Sequence, residues 1–115
     1  MSAAAVPTVS VPDLDPRAPV PAGWTVLDVR EPAEWALGHV PGSVHVPLGA
    51  LPDRLDDLPD AELLVVCRSG NRSARAVAWL AHVGYDATNL AGGLLAWSAA
   101  GLPLEADDGA PARVL

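Results

Sequence analysis

The stretch Leu63-Leu64-Val65-Val66-Cys67 constrains this chain more than any other. Four aliphatic side chains in a row leave no polar face, so the segment reads as a strand covered on both sides. It runs directly into a short polar loop, Arg68-Ser69-Gly70-Asn71-Arg72. Beyond the loop, Ala74, Val77, Ala78, Leu80 and Ala81 recur at helical spacing over Ser73–Val83, and Gly84 is a natural stop. A buried strand that feeds a helix through a short turn is the unit of a parallel sheet. The same alternation occurs elsewhere: strands at Trp24–Val29, Ser43–Val46 and Tyr85–Leu90, and helices at Pro32–Leu37, Leu48–Leu55 and Gly92–Ala100. The predicted class is α/β, with a mostly parallel central sheet flanked by helices on both faces. A chain of 115 residues suits one domain. The expected division is an N-terminal segment, 1–22, with an edge strand at Thr8–Val11; a domain at 23–104; and a flexible tail at 105–115, where Asp107, Asp108, Gly109 and Pro111 favour fraying.

Cys67 stands where chemistry is expected in such a sheet. Ligands bind beyond the carboxyl ends of parallel strands. A tight loop entering a helix turns backbone N–H groups toward one point, and the helix N-terminus adds partial positive charge. Gly70 lets the loop bend sharply. A free thiol has a pKa of ~8.5, and such surroundings bring it to ~3.5–7.5. Two units correspond to roughly 2.7 kcal/mol of preferential thiolate stabilisation. Backbone donors with Arg68 and Arg72 are the expected source. With Arg75 they cluster positive charge in a chain whose net charge is −7, which favours a small anionic substrate.

That overall charge, with every basic residue an arginine, excludes a general binder of nucleic acid or anionic membrane. Half the residues are apolar and 18% charged, a globular balance. No apolar run approaches the ~18–20 residues of a membrane span. Met1–Val6 lacks a basic region and a long apolar core, so no secretory signal is expected and the cytoplasm is the expected compartment. Cys67 is the sole cysteine, which excludes an internal disulfide. His39, His45 and His82 are scattered, so no metal site is expected.

Asp28 lies in an apolar run and needs a partner, because an unpaired buried charge is costly. Arg30, or an arginine of the loop, is the expected partner, and the pair is assigned a loop-supporting role. Glu34 reads as a solvated helix residue, Trp35 and Trp97 as core, and His39 as the holder of the Val40-Pro41-Gly42 turn. Trp79 fits either core or a partner surface. Gly92-Gly93 is too short for a phosphate loop and reads as the turn into the last helix, beside the loop after Cys67.

At this point the chain resembles the single-domain rhodaneses, a family of sulfurtransferases. The resemblance spans roughly Trp24 to Leu104. It rests on the order and spacing of linked motifs: Leu27-Asp28-Val29-Arg30-Glu31; Glu34-Trp35 followed by Gly38-His39-Val40-Pro41-Gly42-Ser43; Val46-Pro47-Leu48; Val66-Cys67-Arg68-Ser69-Gly70-Asn71-Arg72-Ser73; and Leu90-Ala91-Gly92-Gly93-Leu94-Leu95-Ala96-Trp97. It implies a rhodanese-like fold and a sulfane sulfur carried on Cys67 as a persulfide. The donor would be thiosulfate or a similar small anion. The loop Arg68, Ser69, Gly70, Asn71, Arg72 and Ser73 would bind substrate and persulfide, with Arg68 and Arg72 attracting the donor's sulfonate. No cofactor or metal is implied. The loop from Cys67 to Arg72 spans six residues, whereas related phosphatases carry one residue more to hold a tetrahedral oxyanion. With no second thiol in the chain, the sulfur must leave to an external acceptor: cyanide, a thiol or a thioredoxin-like protein. The alternative is a persulfide carrier, or a regulatory binding module, that works with a partner protein. A monomer or weak homodimer is expected.

Overall fold

The computed structural model describes residues 6–115. Residues 1–5, which hold most of the Met1–Val6 stretch read for a secretory signal and the start of the 1–22 segment, lie outside the described residues. Among the described residues, five strands form one sheet: β1 Thr8–Ser10, β2 Trp24–Asp28, β3 Val44–His45, β4 Glu62–Val66 and β5 Ala87–Ala91. The α-helices of the described residues are α1 Pro32–Leu37, α2 Asn71–His82 and α3 Gly93–Ala99. The strand order is β1-β5-β4-β2-β3, and every pair is parallel.

β4 sits at the centre, and its pleat explains the unbroken apolar run. Leu63 and Val65 pack on one face with Ala76, Val77 and Leu80 of α2. Leu64 and Val66 pack on the other with Leu94 and Trp97 of α3. All four are fully buried, and each contributes about 1.5–3 kcal/mol relative to an exposed side chain. Trp97 is core as expected, and its Nε1–H donates to the Pro103 carbonyl at 2.9 Å. The expected edge strand lies at Thr8–Ser10 beside β5.

Three expectations need correction. The helix expected over Leu48–Leu55 is instead a 3-10 turn at Leu48–Asp53 and a second at Leu55–Asp57. Pro52 lacks the N–H that a regular helix would need there. α2 begins at Asn71, two residues before the predicted start, because Gly70 takes a left-handed conformation (φ +103°) that turns the chain into the helix at once.

The third concerns the 105–115 tail, which is docked on the domain. Glu105 and His39 exchange backbone hydrogen bonds at 2.8 and 2.9 Å. The amide of Asp107 donates to Ala36 at 3.1 Å and that of Arg113 to Leu37 at 2.9 Å. The last carbonyls of α1 have no acceptor role inside their own helix, and the tail supplies their donors. Gly38 permits the approach, since a Cβ there would lie 2.5 Å from the Arg113 carbonyl oxygen. Among the described residues, no helix is long and apolar enough to cross a membrane.

Candidate active site

Cys67 follows the last residue of β4 and is 1% exposed. Its Sγ accepts from the Gly70 amide at 3.1 Å, the Ser73 amide at 3.4 Å and lies 3.3 Å from the Ser73 hydroxyl. α3 sets this arrangement from behind. Two amides of its first turn, Leu94 and Leu95, donate to the carbonyls of Cys67 and Arg68 at 2.9 and 3.0 Å. In a trans peptide the N–H points opposite the carbonyl, so turning these two carbonyls toward α3 turns the amides of Arg68 and Ser69 away from it. Gly93 makes the close approach possible. A Cβ there would lie 2.5 Å from both carbonyl oxygens. The sequence expectation that Gly92-Gly93 sits beside the loop therefore has a specific steric content.

Two opposed effects set the acidity of Cys67. Burial alone pushes the thiol up. Hydrogen bonds from the Ser73 hydroxyl and amide, and from the Gly70 and Ser69 amides, outweigh it and leave the thiol below its ordinary value. Neither expected arginine is among these donors.

Arg72 is committed elsewhere. Its Nη1 and Nη2 donate to the two carboxylate oxygens of Glu34 at 2.7 and 2.8 Å. This fork holds the Glu34 carboxyl down to about 2, against its partial burial; a further bond comes from the Glu31 amide. Glu34 is thus no solvated helix residue, and the guanidinium of Arg72 is not free to bind a sulfonate. The pair ties the start of α2 to α1. Arg68 is exposed, and its Nε donates to the main-chain oxygen of Leu115.

Asp28 and Arg30 form a fully buried pair, with Arg30 Nη2 2.7 Å from Asp28 Oδ2 and Nε reaching both oxygens. Neither hydrogen-bonds to the loop. Arg30 instead donates to the carbonyls of Gly38 at 2.7 Å and Glu34 at 3.3 Å, so any support passes through α1 and the Glu34–Arg72 bridge. His39 was expected to hold the Val40-Pro41-Gly42 turn; its Nδ1 instead lies 2.8 Å from the Trp35 carbonyl at the end of α1, and the turn is closed by Ser43, whose hydroxyl donates to the Val40 carbonyl at 2.6 Å. Trp35 is only half-buried, correcting its assignment to the core: it stacks on His39 at 3.7 Å and His45 at 4.7 Å between ring centroids. Among the described residues no group of His, Cys, Asp and Glu is placed to hold a metal. Trp79 is half-buried against the α2 face of the core.

Asn89 was missed from sequence. It lies on β5 with 7% exposure, its Oδ1 2.6 Å from Ser73 Oγ and its Nδ2 3.3 Å from the Gly70 carbonyl oxygen. The available signal was a strongly polar residue inside a strand, a place that disfavours Asn.

Fold and site together define an α/β domain that places one hydrogen-bonded thiol at the carboxyl edge of a parallel sheet. The chain belongs to the rhodanese-like family, whose Rhodanese-like domain model matches residues 17–100. It is 41% identical over 86 residues to a sulfurtransferase of Allochromatium vinosum, covering 73% of this chain and 80% of that protein. It is 40% identical over 92 residues to the thiosulfate sulfurtransferase GlpE of Pseudomonas fluorescens, covering 77% and 83%. Among solved structures, a rhodanese-related protein of Thermoplasma volcanium superimposes with a TM-score of 0.76 at 33% identity, covering 85% of this chain and 96% of that one.

Proposed function

We propose that this rhodanese-family domain transfers a sulfane sulfur from thiosulfate, or a similar small anionic donor, to an external acceptor through a persulfide on Cys67. Rhodanese-type sulfur transfer is what family membership supports. The finer assignment rests on one observation: hydrogen-bond donors of the loop and the α2 N-terminus converge on a single sulfur. The Cys67 thiolate attacks the outer sulfur of thiosulfate. The new S–S bond forms as the donor's own S–S bond breaks, and sulfite departs with that electron pair. A nucleophilic acceptor such as cyanide then attacks the terminal sulfur, and the Cys67 thiolate leaves. Hydrogen bonds from Ser73, Gly70 and Ser69 hold the Cys67 thiol below its ordinary value and so ease formation of the attacking thiolate. Arg68, exposed at the loop, is the side chain assigned to attract the donor.

A phosphatase is the poorer fit. The loop holds six residues from Cys67 to Arg72, and the guanidinium that would grip a phosphate is paired with Glu34. The deciding experiment is intact mass before and after thiosulfate, for the wild type and Cys67→Ser. The expected result is a gain of one sulfur atom, reversed by cyanide and absent in the variant. No gain in the wild type, or an equal gain in Cys67→Ser, overturns the assignment.

A further inference from the structure

We propose that Asn89 is a positioning residue that competes with the Cys67 sulfur for the single proton of Ser73 Oγ, and so biases the resting site toward the thiol. The inference concerns the same sulfur as the function proposed above and rests on Cys67 being its reacting group.

The amide orientation follows from its partners. The Gly70 carbonyl oxygen can only accept, so the group facing it at 3.3 Å is Nδ2. That leaves Oδ1 toward Ser73 Oγ at 2.6 Å. Oδ1 can only accept as well, so the hydroxyl proton lies on that line. The rival acceptor, Cys67 Sγ, is 3.3 Å from the same oxygen. Ser73 is fully buried and Asn89 nearly so. A buried acceptor that loses its donor loses a hydrogen bond it cannot recover from solvent.

Two arrangements are therefore exclusive. In the first, the thiol S–H donates to Ser73 Oγ and Ser73 donates to Asn89. Every group is satisfied and the sulfur is neutral. In the second, the thiol proton has gone to bulk water, Ser73 has rotated its hydroxyl onto the thiolate, and Asn89 Oδ1 has no donor. Asn89 thus opposes ionisation through Ser73, while the backbone amides favour it. A persulfide returns the site to the first pattern, since a divalent Sγ is a weak acceptor and Ser73 can bond to Asn89 again. Asn89 thereby favours the loaded state over the thiolate that discharge would release.

The charged groups around Cys67 do not substitute for this effect. α2 contributes Arg72, bound to Glu34 of α1, and β2 contributes Asp28, bound to Arg30. Arg68 lies on the loop, and neither β5 nor α3 carries a charged residue.

The test is the pH dependence of iodoacetamide alkylation of Cys67, the chain's sole thiol. It uses no sulfur donor, so it succeeds or fails separately from the sulfurtransferase assignment. Asn89→Leu keeps the shape and removes the acceptor. Its alkylation midpoint should fall, giving at least a threefold larger thiolate fraction below the wild-type midpoint. Ser73→Ala should move the midpoint up. In the Ser73→Ala background the Asn89→Leu effect should vanish, a coupling that a merely structural Asn89 would not show. An unchanged or raised midpoint in Asn89→Leu, or the same shift with and without Ser73, overturns the proposal. The Raman S–H band of the wild type, taken below the midpoint, covers the case in which Asn89→Leu does not fold. It should sit at the lower frequency of a hydrogen-bonded donor and revert in Ser73→Ala; a free S–H band in the wild type refutes the proposal.

Discussion

Replacing Gly93 by Ala isolates the contact that aims the Cys67 loop. Two costs add at this position. The first is conformational: Gly93 has φ +59°, and a left-handed conformation costs a residue with a Cβ about 1–2 kcal/mol. The second is steric. The new Cβ would lie 2.5 Å from the Cys67 and Arg68 carbonyl oxygens, so the gap must open by roughly half an ångström merely to reach 3.0 Å. Backbone atoms held by two hydrogen bonds give way poorly, and overpacking of this kind costs about 1–3 kcal/mol. Gly101→Ala separates the two costs, because Gly101 has φ +74° and a Cβ there meets nothing within 4 Å. At about 4 °C per kcal/mol, Gly101→Ala should lower Tm by about 4–8 °C and Gly93→Ala by about 8–20 °C. The assays are thermal denaturation followed by circular dichroism, and the initial rate of sulfur transfer well below both Tm values. Gly101→Ala should keep its rate. Gly93→Ala should lose at least tenfold, since the carbonyls it displaces belong to the peptides that orient the loop, and a shift near 1 Å at a reacting group costs about a hundredfold. Equal Tm losses and equal rates in the two variants would refute the claim that α3 clamps the loop.

Glu34→Gln should lower stability by about 1 kcal/mol at neutral pH, a modest figure for a partly exposed ion pair. The folded Glu34 carboxyl lies at about 2, below its ordinary 4.5, so its contribution is complete above about 4.5 and is lost as pH falls toward 2. Urea denaturation of wild type and variant should therefore converge over that window; a constant gap would refute the ion-pair assignment. Arg68→Ala should raise the KM for thiosulfate more than it lowers kcat, and an unchanged KM removes Arg68 from donor binding. Asp28→Asn leaves the Arg30 guanidinium buried beside a neutral partner and should cost about 3–5 kcal/mol by chemical denaturation. A loss below 1 kcal/mol would contradict the burial of that charge. One residue inserted within Arg68–Asn71 should abolish persulfide loading without unfolding the domain, and undiminished loading would discredit the fit of the loop to a single sulfur.

The sequence by itself determined the elements whose signal is local. The unbroken apolar run at Leu63–Val66 required a strand buried on both faces, and the polar loop with Gly70 placed Cys67 at the strand's carboxyl end. The linked motifs around Asp28, Gly38 and Gly92 pointed to the family. Asp28 was legible as a paired charge because an isolated one in an apolar strand is too costly, and Arg30 lies two residues away. Tertiary structure alone decided which groups meet across long separations. Arg72 reaches Glu34 across 38 positions and is lost to the substrate; Ser73 reaches Asn89 across 16 and so shares its proton. The tail at 105–115 looked free because its composition is that of a frayed end, yet the orphan carbonyls of α1 recruit its amides. Composition and periodicity report what a residue does to its own segment. Hydrogen-bond partners are allotted only when segments pack, and in this site that allotment sets the acidity of the sulfur.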